Sequence, residues 1–208
     1  MPRERLTTSE RNQVPASWSP DGQALAFYEL GQDPTGGGSD IWILPLGGNR
    51  QPRPIVQTPF FDGGADFSPD AQWLAYVSTV SGRNEVYVQP YPGPGSRQQI
   101  STDGGMSPVW RRDGRELFYI VSAQQAGVAP MKVMAVAVTM RPVLRAGVAK
   151  RLFEGRYMTN SPARQYDVTA DGQRFLMVQE KERSPIAVTQ MVVVLNWFEE
   201  LKRRVPAK

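Results

Sequence analysis

A short turn motif that occurs four times constrains the fold of this chain more than any other feature. Its first copy is Trp18-Ser19-Pro20-Asp21-Gly22, and three copies with substitutions begin at Phe67, Trp110 and Val168. Asp-Gly favours a tight hairpin turn, because glycine accepts a positive φ and aspartate hydrogen-bonds the turn backbone. Four residues after each aspartate begins an apolar run, which starts at Leu25, Leu74, Leu117 and Phe175. The repeated unit is therefore predicted to be a turn followed by a strand.

The spacing of the motif predicts a propeller. Its aspartates, Asp21, Asp70, Asp113 and Asp171, are 49, 43 and 58 residues apart. Periods of about 40 to 50 residues are typical of four-stranded propeller blades. The 19 glycines and 18 prolines are scattered rather than pooled, as expected for many short strands. The predicted fold is all-β, a β-propeller of four antiparallel blades with strands named a to d from the inside out.

One propeller domain is expected over residues 1–208, with blades at about 10–58, 59–102, 103–155 and 156–196. The last blade lacks a strand d, and residues 4–8 are predicted to supply it. Closure takes one of two forms, a four-bladed ring in one chain or an eight-bladed ring in two, and the two-fold dimer is favoured. Residues 197–204 have the composition of a short amphipathic helix.

Composition excludes several functions. The chain has no histidine and no cysteine, which rules out Ser-His-Asp and Cys-His catalysis, ordinary zinc sites and disulfides. Residues 1–19 contain no apolar segment, so neither a signal peptide nor a membrane span is expected, and a soluble chain fits the cytoplasm or the periplasm equally. The net charge of +4 is spread along the chain, so nucleic acid is not an expected partner.

The candidate site residues are mainly carboxylates. The d-to-a and b-to-c loops of a propeller share one face, where six acidic side chains are expected to converge: Asp40, Asp62, Asp66, Glu85, Asp103 and Asp167. Asp40, Glu85, Asp62 and Asp103 are candidate ligands for Ca²⁺ or Mg²⁺, and Asp40 and Glu85 candidate catalytic groups, because a metal held by oxygen ligands can activate water. No other cofactor is indicated.

Structural roles are the alternative for each of these carboxylates. Asp40 and Glu85 then cap loop amides, Asp66 and Asp167 bind neighbouring blades, and Asp62 and Asp103 belong to ordinary turns. The motif aspartates are assigned to turns.

Three arginines are candidates for binding an anionic ligand beside Asp62, Asp66, Asp103 and Asp167. They are the adjacent Arg111 and Arg112 and, in the next d-to-a loop, Arg164. Solvated surface charge is the alternative.

The motif, followed by Leu25-Ala26-Phe27 and later by Ile41-Trp42-Ile43, resembles the TolB-like β-propeller repeat over nearly the whole chain. Residues 151–155, 166–177 and 194–201 resemble the end of propellers attached to bacterial serine/threonine kinases, although no kinase motif is present. Propellers of this family usually have six or more blades, so the resemblance implies a partial propeller or the trailing part of a longer protein. Two motif copies depart from the pattern, at Ala71 and at Arg111-Arg112, which predicts looser or differently shaped turns.

Two functions are consistent with these observations. The family resemblance implies a rigid interaction or sensing platform, which binds a protein or a small ligand at the channel face. The alternative is a metal-assisted hydrolase of esters or phosphoesters that uses the carboxylates of that face.

Overall fold

A computed structural model of the chain describes residues 4–31, 38–122, 130–141, 143–157, 164 and 166–179. Every regular element in these ranges is a β-strand, and all strand pairs are antiparallel. The all-β prediction is confirmed. None of the described residues forms a helix that could cross a membrane. The predicted last strand c, at 191–195, and the predicted helix at 197–204 lie outside the described residues.

The first two sheets have four strands each, in the order of the sequence. The first sheet contains β1 Gln13–Trp18, β2 Ala24–Glu29, β3 Asp40–Pro45 and β4 Arg53–Val56. The second contains β5 Asp62–Phe67, β6 Trp73–Ser78, β7 Glu85–Pro90 and β8 Gln98–Gln99. These strands include the predicted apolar runs that begin at Leu25 and Leu74.

The third and fourth sheets continue the pattern. The third contains β9 Met106–Trp110, β10 Glu116–Ser122, β11 Met131–Thr139, β12 Arg145–Ala146 and β13 Lys150–Gly155, with both β12 and β13 paired to β11. The described part of the fourth contains β14 Tyr166–Val168 and β15 Phe175–Met177. Strand β12 was not predicted. Residues 4–8 form no strand with the described residues, and the blade boundaries and ring closure stay predictions.

The motif forms the same turn in all four sheets. In the first, the Gly22 N–H donates to the Ser19 carbonyl at 2.8 Å, and the Ser19 hydroxyl donates to Asp21 at 2.6 Å. The equivalent backbone bonds, at Ala71, Gly114 and Gly172, measure 2.8 to 2.9 Å. The expectation of differently shaped turns at Ala71 and Arg111-Arg112 is therefore wrong, because the backbone bond does not depend on those side chains.

Alternation along the strands gives each inner sheet two apolar faces. In the second sheet, Leu74 and Tyr76 pack with the first sheet, whereas Ala75 and Val86 pack with the third. The third sheet in turn packs Val109 and Ile120 against the fourth, where they meet Tyr166 and Phe175. The four sheets therefore pack side by side, and the a strands of the first three sheets, β1, β5 and β9, lie next to one another.

Candidate functional site

A cavity of about 600 Å³ opens where the a-to-b turns of the four sheets meet. Each turn supplies at least one lining residue, and these are Pro20, Pro69, Arg112, Thr169 and Ala170. The ends of the a strands supply most of the rest, which are Asp66, Val109, Trp110, Asp167 and Val168, together with Arg164. The cavity is thus built from the recurring motif and the residues next to it.

Residues of the first three a strands line a smaller cavity that shares Arg164 with the first. This cavity, of about 20 Å³, is lined by small side chains, Pro15, Ala16, Gly64, Ala65, Ser107 and Pro108, with Tyr28 and Arg164. This volume is about that needed for one water molecule.

Asp66 contacts two other residues of the cavity wall, Trp110 and Arg164. Its Oδ2 accepts a hydrogen bond from the Trp110 backbone N–H at 2.9 Å, and its carbonyl accepts one from the Trp110 indole N–H at 3.2 Å. Arg164 lies 3.5 Å from its Oδ1. Burial raises the pKa of Asp66 to about 6, although the Trp110 N–H and Arg164 both favour the charged form. Asp66 therefore bonds the neighbouring sheet, the structural alternative given above.

The three candidate arginines differ in whether an acidic side chain already pairs with them. Arg111 is engaged by Glu116 at 2.8 Å and by Asp113 at 3.4 Å, and it does not line the cavity. Arg164 lies 3.5 Å from Asp66 and 3.8 Å from Asp167. Arg112 lines the cavity and is exposed, and no described residue forms a hydrogen bond or ion pair with it. Of the three, Arg112 is the arginine whose guanidinium group has no partner within the described part of the chain, so it is the candidate to meet an anionic ligand.

The other four predicted carboxylates lie at the opposite end of the strands. Asp40, Asp62 and Glu85 are the first residues of β3, β5 and β7, and Asp103 lies close to Glu85 through their common partner Arg83. Asp66 is the fifth residue of β5, about 13 Å along the strand from Asp62 at 3.3 Å per residue. The prediction that all six carboxylates share one face is therefore wrong.

These four carboxylates do not assemble into a metal site. Glu85 accepts hydrogen bonds from Arg83 at 2.7 Å, from the Gly104 N–H at 3.0 Å and from Ser101. Asp103 is 94% exposed and lies 3.8 Å from Arg83. Within the described ranges, no three acidic groups are close enough to hold a metal ion. Glu85 thus caps a loop, as the structural alternative stated.

Asp40 and Asp62 are buried, and neither forms an ion pair with a described residue. Burial raises the pKa of both, and the hydrogen bonds that oppose this come from Gln57 to Asp40 and from Ser78 and Thr58 to Asp62. The Thr58 hydroxyl lies 2.5 Å from Oδ2 of Asp62, while no described residue forms a hydrogen bond of good geometry with Oδ1 of Asp62. Two carboxyl groups are too few to hold a metal ion without further ligands.

Several residues of the turn-end cavity were not predicted as site residues. Trp110, Pro20, Pro69 and Val168 were assigned only to the repeated motif, because recurrence indicated a structural turn. The repeat of the motif could nevertheless have indicated these residues, because equivalent residues of successive repeats lie around one axis. Sequence could not tell which end of the strands would hold the open cavity.

Comparison with known proteins supports the same fold. A model of the TolB beta propeller domain matches residues 2–151. TolB from Acinetobacter baumannii is structurally similar at a TM-score of 0.63 and 18% identity, over 84% of this chain and 39% of that protein. A putative TolB from Agrobacterium tumefaciens matches at 0.59 and 18%, over 71% and 51%. An oligogalacturonate lyase in complex with manganese matches at 0.53 and 16%, over 83% and 55%.

The chain thus spans about 39 to 55% of the length of these proteins. At such identities the similarity concerns the fold. Most of the residues that resemble kinase-linked propellers follow residue 151, beyond the family match, so that resemblance stays a prediction. Since the family model covers well over half of the sequence, the chain belongs to the TolB β-propeller domain family.

Proposed function

We propose that this chain is a binding module whose turn-end cavity holds an extended protein segment that carries a carboxylate. The observation that carries the proposal is Arg112, an exposed arginine without a partner among the described residues. The cavity around it is lined by apolar groups, by Thr169 and by paired charges. A volume of about 600 Å³ is within the range of ligand sites in proteins.

The chemistry of the wall favours a carboxylate-bearing peptide. A guanidinium group binds a carboxylate through two parallel hydrogen bonds, which gives both energy and orientation. Val109, Val168 and the prolines Pro20 and Pro69 offer apolar contacts beside it. Because each of the four turns contributes a lining residue, a ligand that contacts several of them must be extended across the repeats.

The fold alone does not determine the function. The structural relatives include TolB proteins and a lyase, and one fold commonly supports unrelated activities. The proposal therefore depends on the side chains of the cavity.

Binding of labelled peptides tests the proposal. The probes are fluorescein-labelled ten-residue peptides of mixed apolar sequence with either two aspartates or two lysines, measured by fluorescence anisotropy. We expect saturable binding of the acidic set only, weakened about tenfold or more by Arg112→Glu, because a lost charge-assisted contact costs on the order of 1.5 to 3 kcal/mol.

The matched control is Arg53→Glu, which reverses an exposed arginine on β4, away from the cavity. Its affinity should equal that of the wild type. The proposal fails if no acidic peptide binds, or if both variants weaken binding equally.

The metal-assisted hydrolase has less support, because its four carboxylates are not gathered at one point. We expect no hydrolysis of activated esters or phosphoesters above background with Ca²⁺ or Mg²⁺ present. Metal-dependent activity that is lost in both Asp40→Asn and Glu85→Gln, with melting unchanged, would contradict this expectation.

A further inference from the structure

Five aspartates of the chain are followed directly by glycine, and they are Asp21, Asp62, Asp103, Asp113 and Asp171. In such a pair the glycine nitrogen can attack the side-chain carboxyl carbon of the aspartate, because glycine has no Cβ to hinder the approach. The structure distinguishes the five pairs by the bonds that hold the two reacting groups in place.

Three of the pairs lie in the a-to-b turns, where both reacting groups are held. Oδ1 of the aspartate accepts a hydrogen bond at 3.0 Å from the backbone N–H two residues later, in Asp21, Asp113 and Asp171. In each turn the glycine N–H donates to a backbone carbonyl of the same turn at 2.8 Å. Attack by the glycine nitrogen would require these bonds to break.

The fourth pair, Asp62-Gly63, is held by the second sheet. Both residues are paired with β6, at Ser78 and Val77. The Asp62 side chain is buried, and its Oδ2 lies 2.5 Å from the Thr58 hydroxyl. The sheet therefore fixes the backbone of this pair, and burial limits access of water to the carboxyl group.

Asp103-Gly104 has fewer restraints. The pair lies in the loop between β8 and β9 and belongs to no strand. The Asp103 side chain is 94% exposed, and its ion pair with Arg83 is 3.8 Å long. No described residue donates a hydrogen bond to this carboxyl group. The Gly104 N–H donates to Oε1 of Glu85 at 3.0 Å, so that its acceptor is a carboxyl group that can take a proton.

We propose that Asp103 is the site at which this chain forms isoaspartate. The Gly104 nitrogen bonds to Cγ of the Asp103 carboxyl group in its acid form, and the hydroxyl group of that carboxyl leaves. Glu85 takes the Gly104 amide proton and passes it to the leaving hydroxyl group, so that one water molecule is released. The product is a five-membered succinimide ring.

Hydrolysis of this ring completes the modification. A water molecule attacks the main-chain carbonyl carbon of Asp103 and breaks its bond to the Gly104 nitrogen, so that the chain continues through Cγ. One water molecule is released and one is taken up. The mass of the chain is therefore unchanged, and no oxidant or other reactant is needed.

The modified loop does not fit its surroundings, because isoaspartate adds one carbon atom to the main chain. The N–H groups of Gly104 and Gly105 bond Glu85 at 3.0 Å and the Asn84 carbonyl at 2.9 Å. A Cβ on Gly105 would lie only 2.8 Å from Cβ of Ser101, so the space beside this backbone is filled. The longer main chain must release these hydrogen bonds and loosen the loop that joins the second and third sheets.

Incubation of the full chain for several weeks at neutral pH tests the site. The tryptic peptide of residues 98–111 contains Asp103 as its only aspartate. Its isoaspartate form has the same mass and a separate chromatographic peak, and electron-transfer fragmentation identifies it. We expect Asp103 to isomerise at least about tenfold faster than the other four aspartates, measured in peptides from a second protease, since one hydrogen bond that must break first accounts for about this factor.

The chain unfolded in urea is the control for local sequence. There the five pairs should isomerise at similar rates, because the restraints of the fold are absent. Equal rates in the folded chain, a faster rate at any of the other four aspartates, or a preference for Asp103 that persists in urea would overturn the proposal.

Glu85→Gln tests the proton transfer, because glutamine keeps a hydrogen-bond acceptor but cannot take the proton. In the folded variant Asp103 should isomerise about tenfold more slowly or less, and an unchanged rate would overturn the role of Glu85. If this variant does not fold, the comparison of folded and unfolded wild type still decides the site.

Asp103→Ser is the matched control for the consequence of the modification. Incubated wild type should exchange amide hydrogens faster at residues 84–86 and 101–105, whereas incubated Asp103→Ser should not change. Equal behaviour of the two proteins would contradict the predicted loosening. Peptide binding by the turn-end cavity is measured separately, so the two proposals fail independently.

Discussion

Asp66 connects three parts of the molecule through one carboxylate. It bonds the Trp110 N–H, lies beside Arg164 and belongs to a strand in the second sheet. Burial raises its pKa to about 6 from an ordinary 3.8. At a pH between these two values, the Asp66 carboxyl group is protonated in the folded protein and ionised in the unfolded chain. This carboxyl group therefore adds stability as the pH falls through about 6, and opposes folding above it.

Asp66→Asn should remove this contribution while keeping an oxygen for the Trp110 N–H. Relative to the variant, wild type should gain unfolding free energy between about pH 7 and about pH 4. The gain is at most about 3 kcal/mol, since one pKa unit corresponds to about 1.4 kcal/mol. Urea unfolding of both proteins across this range measures it. A constant difference between them would show that Asp66 keeps an ordinary pKa.

The a-to-b turn is the element that shapes both the fold and the cavity. Three of its four copies place glycine at a positive φ, whereas the second copy places Ala71 there at 55°. A side chain at this conformation costs about 1 to 2 kcal/mol, which the hydrogen bonds of the turn offset.

Ala71→Gly should therefore stabilise the protein by about 0.5 to 1 kcal/mol, after allowance for the greater freedom of glycine in the unfolded chain. Chemical unfolding checks the value. Gly22→Ala is the reciprocal control, because its φ is 70° and an added Cβ would meet no atom within 4 Å. It should be destabilising for backbone reasons alone. An Ala71→Gly variant less stable than wild type would contradict the strain at Ala71.

At the scale of the whole molecule, local features were predicted well from sequence. The hairpins from Leu25 and Leu74 follow from apolar runs and turn residues only a few positions apart. The position of the site required contacts between distant residues, such as that from Asp66 to Trp110, 44 residues later. It also required the extent of β5, which begins at Asp62 and therefore places Asp66 near the turn end of the strand. The spacing of residues in the sequence does not reveal the register of a strand. It also does not reveal that Arg111 has acidic partners while Arg112 has none among the described residues.

We propose that ligand binds at the turn end of the strands and not at the end that holds Asp40, Asp62 and Glu85. Hydrogen exchange with and without the acidic peptide tests this directly. We expect slower exchange around residues 18–22, 66–71, 110–114 and 167–172, which border the cavity. Slower exchange confined to residues 38–40, 57–62, 84–86 and 101–105 would contradict the claim and place binding at the opposite end.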